Sequence, residues 1–117
     1  MPPETSKLLL DIQRAIERIQ RFVTGKTYDD YLRDDLLRSA VERQFEIIGE
    51  AMSRLLKSDR TIAERITDFR KIAGFRNALI HGYDSIDDMI SWGVITQKLS
   101  ILQTEVQNLL SPPNSNP

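Results

Sequence analysis

Apolar residues recur along this chain in steps of three and four. Leu9, Ile12, Ile16, Ile19 and Val23 form one such stripe, which predicts an amphipathic helix. Gly25 is its expected stop, because glycine accepts the left-handed conformation that ends helices. Thr27 to Asp30 has the form of a capping box, with Asp30 in the place usually held by glutamate. It opens a long second helix carrying Leu37, Val41, Phe45, Ile48, Met52 and Leu55 on one side. Thr61 to Glu64 predicts the start of a third helix. Ser85 to Asp88 predicts a last one, striped by Trp92, Ile95, Leu99, Leu102, Val106 and Leu109. No stretch alternates with the period of two that a strand needs. The expected class is all-α, an up-and-down bundle of four to five helices with short connections. The tail "SPPNSNP", residues 111–117, cannot continue a helix and is expected to be disordered, leaving 1–110 as a single helical domain. Three stripes are long enough to serve both a bundle core and a second copy, so a symmetric homodimer is expected.

Composition narrows the chemistry. The chain has no cysteine, which excludes disulfides, thiolate metal sites and a cysteine nucleophile. Its single histidine makes a protein-only zinc site depend on several carboxylates, and no metal or other cofactor is expected. No apolar run approaches the roughly 18–20 residues needed to span a bilayer. The start, "MPPETSK", lacks the basic and apolar regions of a secretory leader, so the expected location is the cytoplasm. A net charge of −1 gives no global pull toward nucleic acid. Locally the balance differs. Residues 54–76 hold seven cationic side chains against three acidic ones, whereas Lys98 is the one cation among the acids of 84–105. A basic segment of this kind can hold phosphates, and it can equally be a solvated helix face.

That basic segment runs into "RNALIHGY", residues 76–83, which contains the histidine. On one ideal helix through residues 69–83, Phe69, Ile72, Ala73, Leu79 and Ile80 share an arc, and Arg76 falls within it. An arginine there is costly unless it is paired or reaches a polar cleft. Asn77 and His81 are four apart and stack on another face, with Arg76 and His81 about 140° apart around the wheel. The two can meet through arginine's length, a frayed helix end or a second subunit. His81 suits a helix terminus before Gly82 on dipole grounds alone. It also titrates near neutrality, so it can give or take a proton. Arg76 can hold a phosphate by a bidentate contact and offset the charge of a pentacovalent intermediate. Together these roles suffice for metal-free cleavage of RNA by its own 2′-hydroxyl. The spacing alone is unspecific, since the chain holds eleven arginines.

The two segments "RNALIHGY" and "QFEIIGEA" (residues 44–51) together resemble the HEPN superfamily, in the Arg-Asn-x3-His-x-Tyr form of HepT-like toxins. The resemblance covers roughly residues 6–110. It implies a HEPN-type helical bundle and an endoribonuclease toxin of a type VII-like toxin–antitoxin system. It further implies RNA as substrate, a homodimer whose two motifs meet in one cleft, and an MNT-type nucleotidyltransferase antitoxin as partner. Residue by residue, Arg76 and His81 become the catalytic pair, Asn77 their support, and Tyr83 the tyrosine that the antitoxin modifies with AMP.

Two other readings stay open at this level. The chain could be a non-catalytic helical subunit that binds nucleotide or substrate for a minimal nucleotidyltransferase, or a purely structural dimerisation partner. Within the second helix, Gly49 costs about 1 kcal/mol against alanine, which favours a close helix approach there. Glu46 and Glu50 stand at salt-bridge spacing from Arg43 and Arg54, the signature of a solvated face, although Glu46 could also add a polar group to the cleft.

Overall fold

The structure, a computed structural model, describes residues 1–75 and 88–111. The N-terminal helix α1, Pro3–Val23, starts with proline in its first turn, where the missing N–H has no helical partner to lose. Leu8, Leu9, Ile12, Ala15, Ile16 and Ile19 of its stripe are buried. It ends as its sequence predicts, with Gly25 in the left-handed region at φ +76°.

The expected second helix is two helices. α2, Tyr28–Arg33, opens on the capping box read from the sequence. The Thr27 hydroxyl accepts from Asp30 N–H at 3.1 Å, and the Asp30 carboxylate accepts from Thr27 N–H at 2.9 Å. These bonds, the backbone one foremost, hold the Asp30 carboxyl below its ordinary pKa. At Asp34 the backbone becomes extended (φ −111°, ψ 96°), and the Asp34 side chain caps a new helix by accepting from Leu37 N–H at 3.0 Å. This is α3, Asp35–Ser58. An internal aspartate competed with the backbone and won, as short polar side chains do at helix starts. The carbonyls orphaned where α2 stops are taken up by Arg38, which donates to Tyr31 O at 3.0 Å and to Leu32 O.

α3 and α1 run antiparallel. The pairs Thr5–Asp59 (2.8 Å) and Arg18–Gln44 (3.3 Å) fix the register, early residues of one helix meeting late residues of the other. All six residues of the predicted α3 stripe are buried between them.

The third helical segment also differs from expectation. Asp59, not Thr61, is the cap of α4, Arg60–Ala63, accepting from Ile62 N–H at 3.4 Å. Two turns follow, Asp68 takes a left-handed conformation (φ 60°), and α5 spans Phe69–Ala73. The expected start of the last helix at Ser85 lies outside the described residues. What is described is α6, Asp88–Gly93, continuing through a π-helical stretch, Val94–Lys98, into α7, Leu99–Leu110. Gly93 and the β-branched run Val94–Thr96 suit that widened turn, and the Thr96 hydroxyl bonds back to Trp92 O at 3.0 Å. Leu99, Leu102 and Val106 enter the core, while Trp92 lies at 5.3 Å from Tyr31, ring centre to ring centre. Glu105 ties α7 to the turn before α5, accepting from Thr67 N–H (2.9 Å) and Thr67 Oγ1–H (2.6 Å).

The architecture is thus the all-α up-and-down bundle expected, with three long rods and short helices at their corners. No strand occurs among the described residues, and none of their helices is long and apolar enough to cross a membrane. Residues 112–117 of the expected tail lie outside the described residues.

Asp59 serves two elements at once, capping α4 and accepting from the buried Thr5 hydroxyl. Asp59→Ala should cost about 2–3 kcal/mol, combining a lost cap with a stranded hydroxyl. Urea unfolding should show a lower midpoint at unchanged slope. A loss under about 0.5 kcal/mol would show that neither bond matters in solution.

Candidate active site

The sequence motif is approached from both sides along α3. On one side, Phe75 packs its ring on Phe45, with centres 4.8 Å apart and planes tilted by 44°. Phe45 belongs to "QFEIIGEA" and is only 1% exposed, so the residue preceding Arg76 is fastened to the core. On the other side, Asp88 lies 3.9 Å from the Arg38 guanidinium. Arg38 and Phe45 are two turns apart on one helix, a rise of about 10 Å. The chain therefore departs from and returns to the same part of α3. Arg76, Asn77, His81 and Tyr83 fall between these anchors in sequence and lie outside the described residues. The wheel drawn through residues 69–83 needs correction, because α5 stops at Ala73 and Gly74 is a turn residue. Phe69, Ile72 and Ala73 keep the expected inward arc, packed on the core.

The rest of "QFEIIGEA" divides between core and surface. Gln44 is buried and accepts from Arg18, and Gly49 is buried within α3. Glu46 pairs with Arg43 at 3.4 Å and Glu50 with Arg54 at 2.9 Å, the solvated face that the spacing predicted.

A polar cluster that the sequence reading missed surrounds the Asp88 anchor. It comprises Tyr31 from α2, Arg38 and Glu42 from α3, and Asp88 and Ser91 from α6. Burial raises the pKa of the Glu42 carboxyl, and Asp88 and Glu46 push the same way against the lowering effect of Arg38. Burial, then the negative charges of Glu42 and Asp88, push the Tyr31 phenol up to about 12. The Tyr31 hydroxyl has no hydrogen bond of normal geometry among the described residues, and the neighbouring Ser91 offers only a weak contact. The one local signal for this cluster was the four-residue spacing of Arg38 and Glu42. Asp88, over forty residues away, could be joined to it only by the fold.

The basic segment is at the surface. Lys57, Arg65, Arg70 and Lys71 are exposed, and Arg70 lies 5.3 Å over the Phe69 ring. Arg60 is paired with Glu64 at 2.8 Å. No group of three side chains able to hold a metal ion occurs among the described residues.

Comparison with known proteins bears on the whole of this region. Residues 12–109 match the family described as "Ribonuclease HepT-like". The chain is 32% identical over 108 residues to a protein of Caldanaerobacter subterraneus subsp. tengcongensis named as a candidate RNase, covering 92% of each. It is 32% identical over 101 residues to a "Probable ribonuclease HepT" of Thermococcus cleftensis, covering 86% of this chain and 91% of the relative. A Methanocaldococcus jannaschii protein, also named as a candidate RNase, is 29% identical over 104 residues, covering 89% of this chain and 94% of its own length. No solved structure matches.

The polar cluster makes stability depend on pH in a stated direction. A carboxyl with a raised folded pKa holds its proton more tightly folded than unfolded. Its ionisation therefore removes stability as pH climbs from about 4.3 through the folded value. Glu42→Gln lacks that loss. Its melting temperature relative to the parent chain should rise between pH 4 and pH 7, modestly because Glu42 is only half-buried. A difference that stays flat or falls over this range would contradict the electrostatic reading of the cluster.

Proposed function

Because the chain belongs to the HepT-like ribonuclease family, we propose that it is a metal-independent endoribonuclease and the toxin of a type VII-like toxin–antitoxin pair, with Arg76 and His81 as its catalytic residues. The observation that carries this reading is that the family match, over residues 12–109, includes both "QFEIIGEA" and "RNALIHGY". The contact of Phe45 with Phe75 supports it by linking the two segments immediately before Arg76.

In the proposed reaction His81 accepts the proton of a ribose 2′-hydroxyl, whose oxygen attacks the adjacent phosphorus. The bond to the 5′-oxygen breaks, that oxygen leaves with a proton, and a 2′,3′-cyclic phosphate remains. Arg76 offsets the charge gathered on the phosphoryl oxygens, and Asn77 supports the pair through its amide. Each chain has one histidine, and in a homodimer with facing motifs the protonated His81 of the second copy donates the proton that the leaving 5′-oxygen takes. Residues 1–110 form the working domain in this reading, and the protein acts in the cytoplasm. Its antitoxin is an MNT-type nucleotidyltransferase that adds AMP to Tyr83, placing bulk and negative charge beside the phosphate-holding arginine.

Purified protein incubated with RNA and EDTA should cleave it. His81→Ala should lose at least about 100-fold in rate while keeping its helicity and melting temperature. Arg76→Lys should also be strongly impaired, because lysine lacks the planar fork. Cleavage that EDTA abolishes, or that survives in a folded His81→Ala variant, would overturn the assignment.

Tyr83→Phe should fold, retain at least part of its activity, and escape neutralisation by a competent antitoxin. Intact-mass measurement after co-expression should find AMP-sized additions on the parent chain and none on the variant. Additions that persist on the variant would move the modified residue elsewhere.

A further inference from the structure

The sequence separates Lys98 from the basic segment, leaving it alone in an acidic stretch, but the fold reunites them. Lys71 of α5 and Lys98 of the π-helical stretch line one groove, whose apolar floor includes Ile72 and Phe75. The widened turn matters here, since it ends at Lys98 with that residue away from regular helix geometry (φ −109°, ψ −28°) and leaves its side chain exposed. Two acids share the groove. Glu105 already accepts from both the N–H and the hydroxyl of Thr67, and Asp68 is exposed at the left-handed turn. Outside the groove lining, Arg65 in the turns before α5 and Arg70 on α5 are also exposed, while Ile66, Phe69 and Ile72 turn inward.

Arg65, Arg70, Lys71 and Lys98 form no ion pair among the described residues, unlike Arg54 and Arg60 just upstream. Unpaired cations brought to one groove are available to the phosphates of a polyanion. Phe75, in the floor of the groove, immediately precedes Arg76 in sequence.

We propose that Lys71 and Lys98, backed by Arg65 and Arg70, hold the phosphate backbone of the RNA strand and position it toward Arg76. This rests on the ribonuclease reading for the identity of the polyanion. The lysines are positioning residues and take no part in bond breaking.

The test uses the full chain with Lys71→Gln and Lys98→Gln combined, and a control pair, Arg14→Gln with Lys26→Gln. The control removes the same charge from exposed positions that do not line the groove. Binding of a labelled single-stranded RNA is followed by anisotropy across a range of salt. Each phosphate contact contributes about 0.7 to the logarithmic salt slope for single strands, so the groove variant should lose about 1.4. Its KM for long RNA should rise by a larger factor than its kcat falls. A slope unchanged from the parent, an equal drop in the control pair, or no RNA binding by the parent chain overturns the proposal. If the parent cleaves RNA and the slope does not move, the groove assignment fails while the ribonuclease reading stands. If the slope falls in the variant but the parent cleaves nothing, the ribonuclease reading fails while the groove still binds RNA.

Discussion

Arg38 donates to the carbonyls of Tyr31 and Leu32, pairs with Asp35 and lies 3.9 Å from Asp88. One half-buried guanidinium thereby finishes α2, steadies the first turn of α3 and meets the first described residue of α6. A lysine could supply the charge but not several donors fixed in one plane. Because α2 ends at Asp34 and not later, its aromatic residues can turn onto Trp92 (Tyr28 at 6.3 Å and Tyr31 at 5.3 Å). The corner formed by α2, α3 and α6 follows from that placement.

Further along α3 the same economy of position recurs. Phe45 is buried in the common core and also receives the ring of Phe75. The side chain that anchors the approach to the motif is thus part of the packing that holds the bundle together. Disturbing it would move the site and lower stability together, since close-packed interiors transmit strain. The exposed ion pairs of Glu46 and Glu50 carry no such coupling and contribute little to stability.

The long rods were legible in the sequence because burial of one face leaves a periodic trace. The α1 and α3 stripes, the stop at Gly25 and the Thr27–Asp30 box all appear where the pattern put them. What the pattern missed depends on competition between local bonds. Asp34 looked like one more polar position in a helix until its side chain capped Leu37. Asp59 and Thr61 are both cap formers, and the tertiary bond from Thr5 accompanies the choice of Asp59. The π-helical stretch changes hydrogen-bond register without changing hydrophobic periodicity over so few residues, so no stripe reveals it. Of the candidate site, the motif residues rest on the resemblance and lie outside the described residues, whereas the Tyr31–Glu42–Asp88 cluster and the meeting of Lys71 and Lys98 in one groove required contacts between distant segments.

These two late-emerging groups give the neighbourhood of the motif opposite electrostatic sides. Near Asp88 the carboxyl groups crowd, and Glu42 keeps its proton more readily than an isolated glutamate does. Near Phe75 the exposed cations gather on α5 and across the groove at Lys98. A polyanion approaching this end of α3 gains from the second side and loses at the first, and local gradients of this kind orient a ligand even when net charge is −1. A strand meeting this surface on the ribonuclease reading gains from the cations that the short α5 and the π-helical stretch opposite it leave exposed.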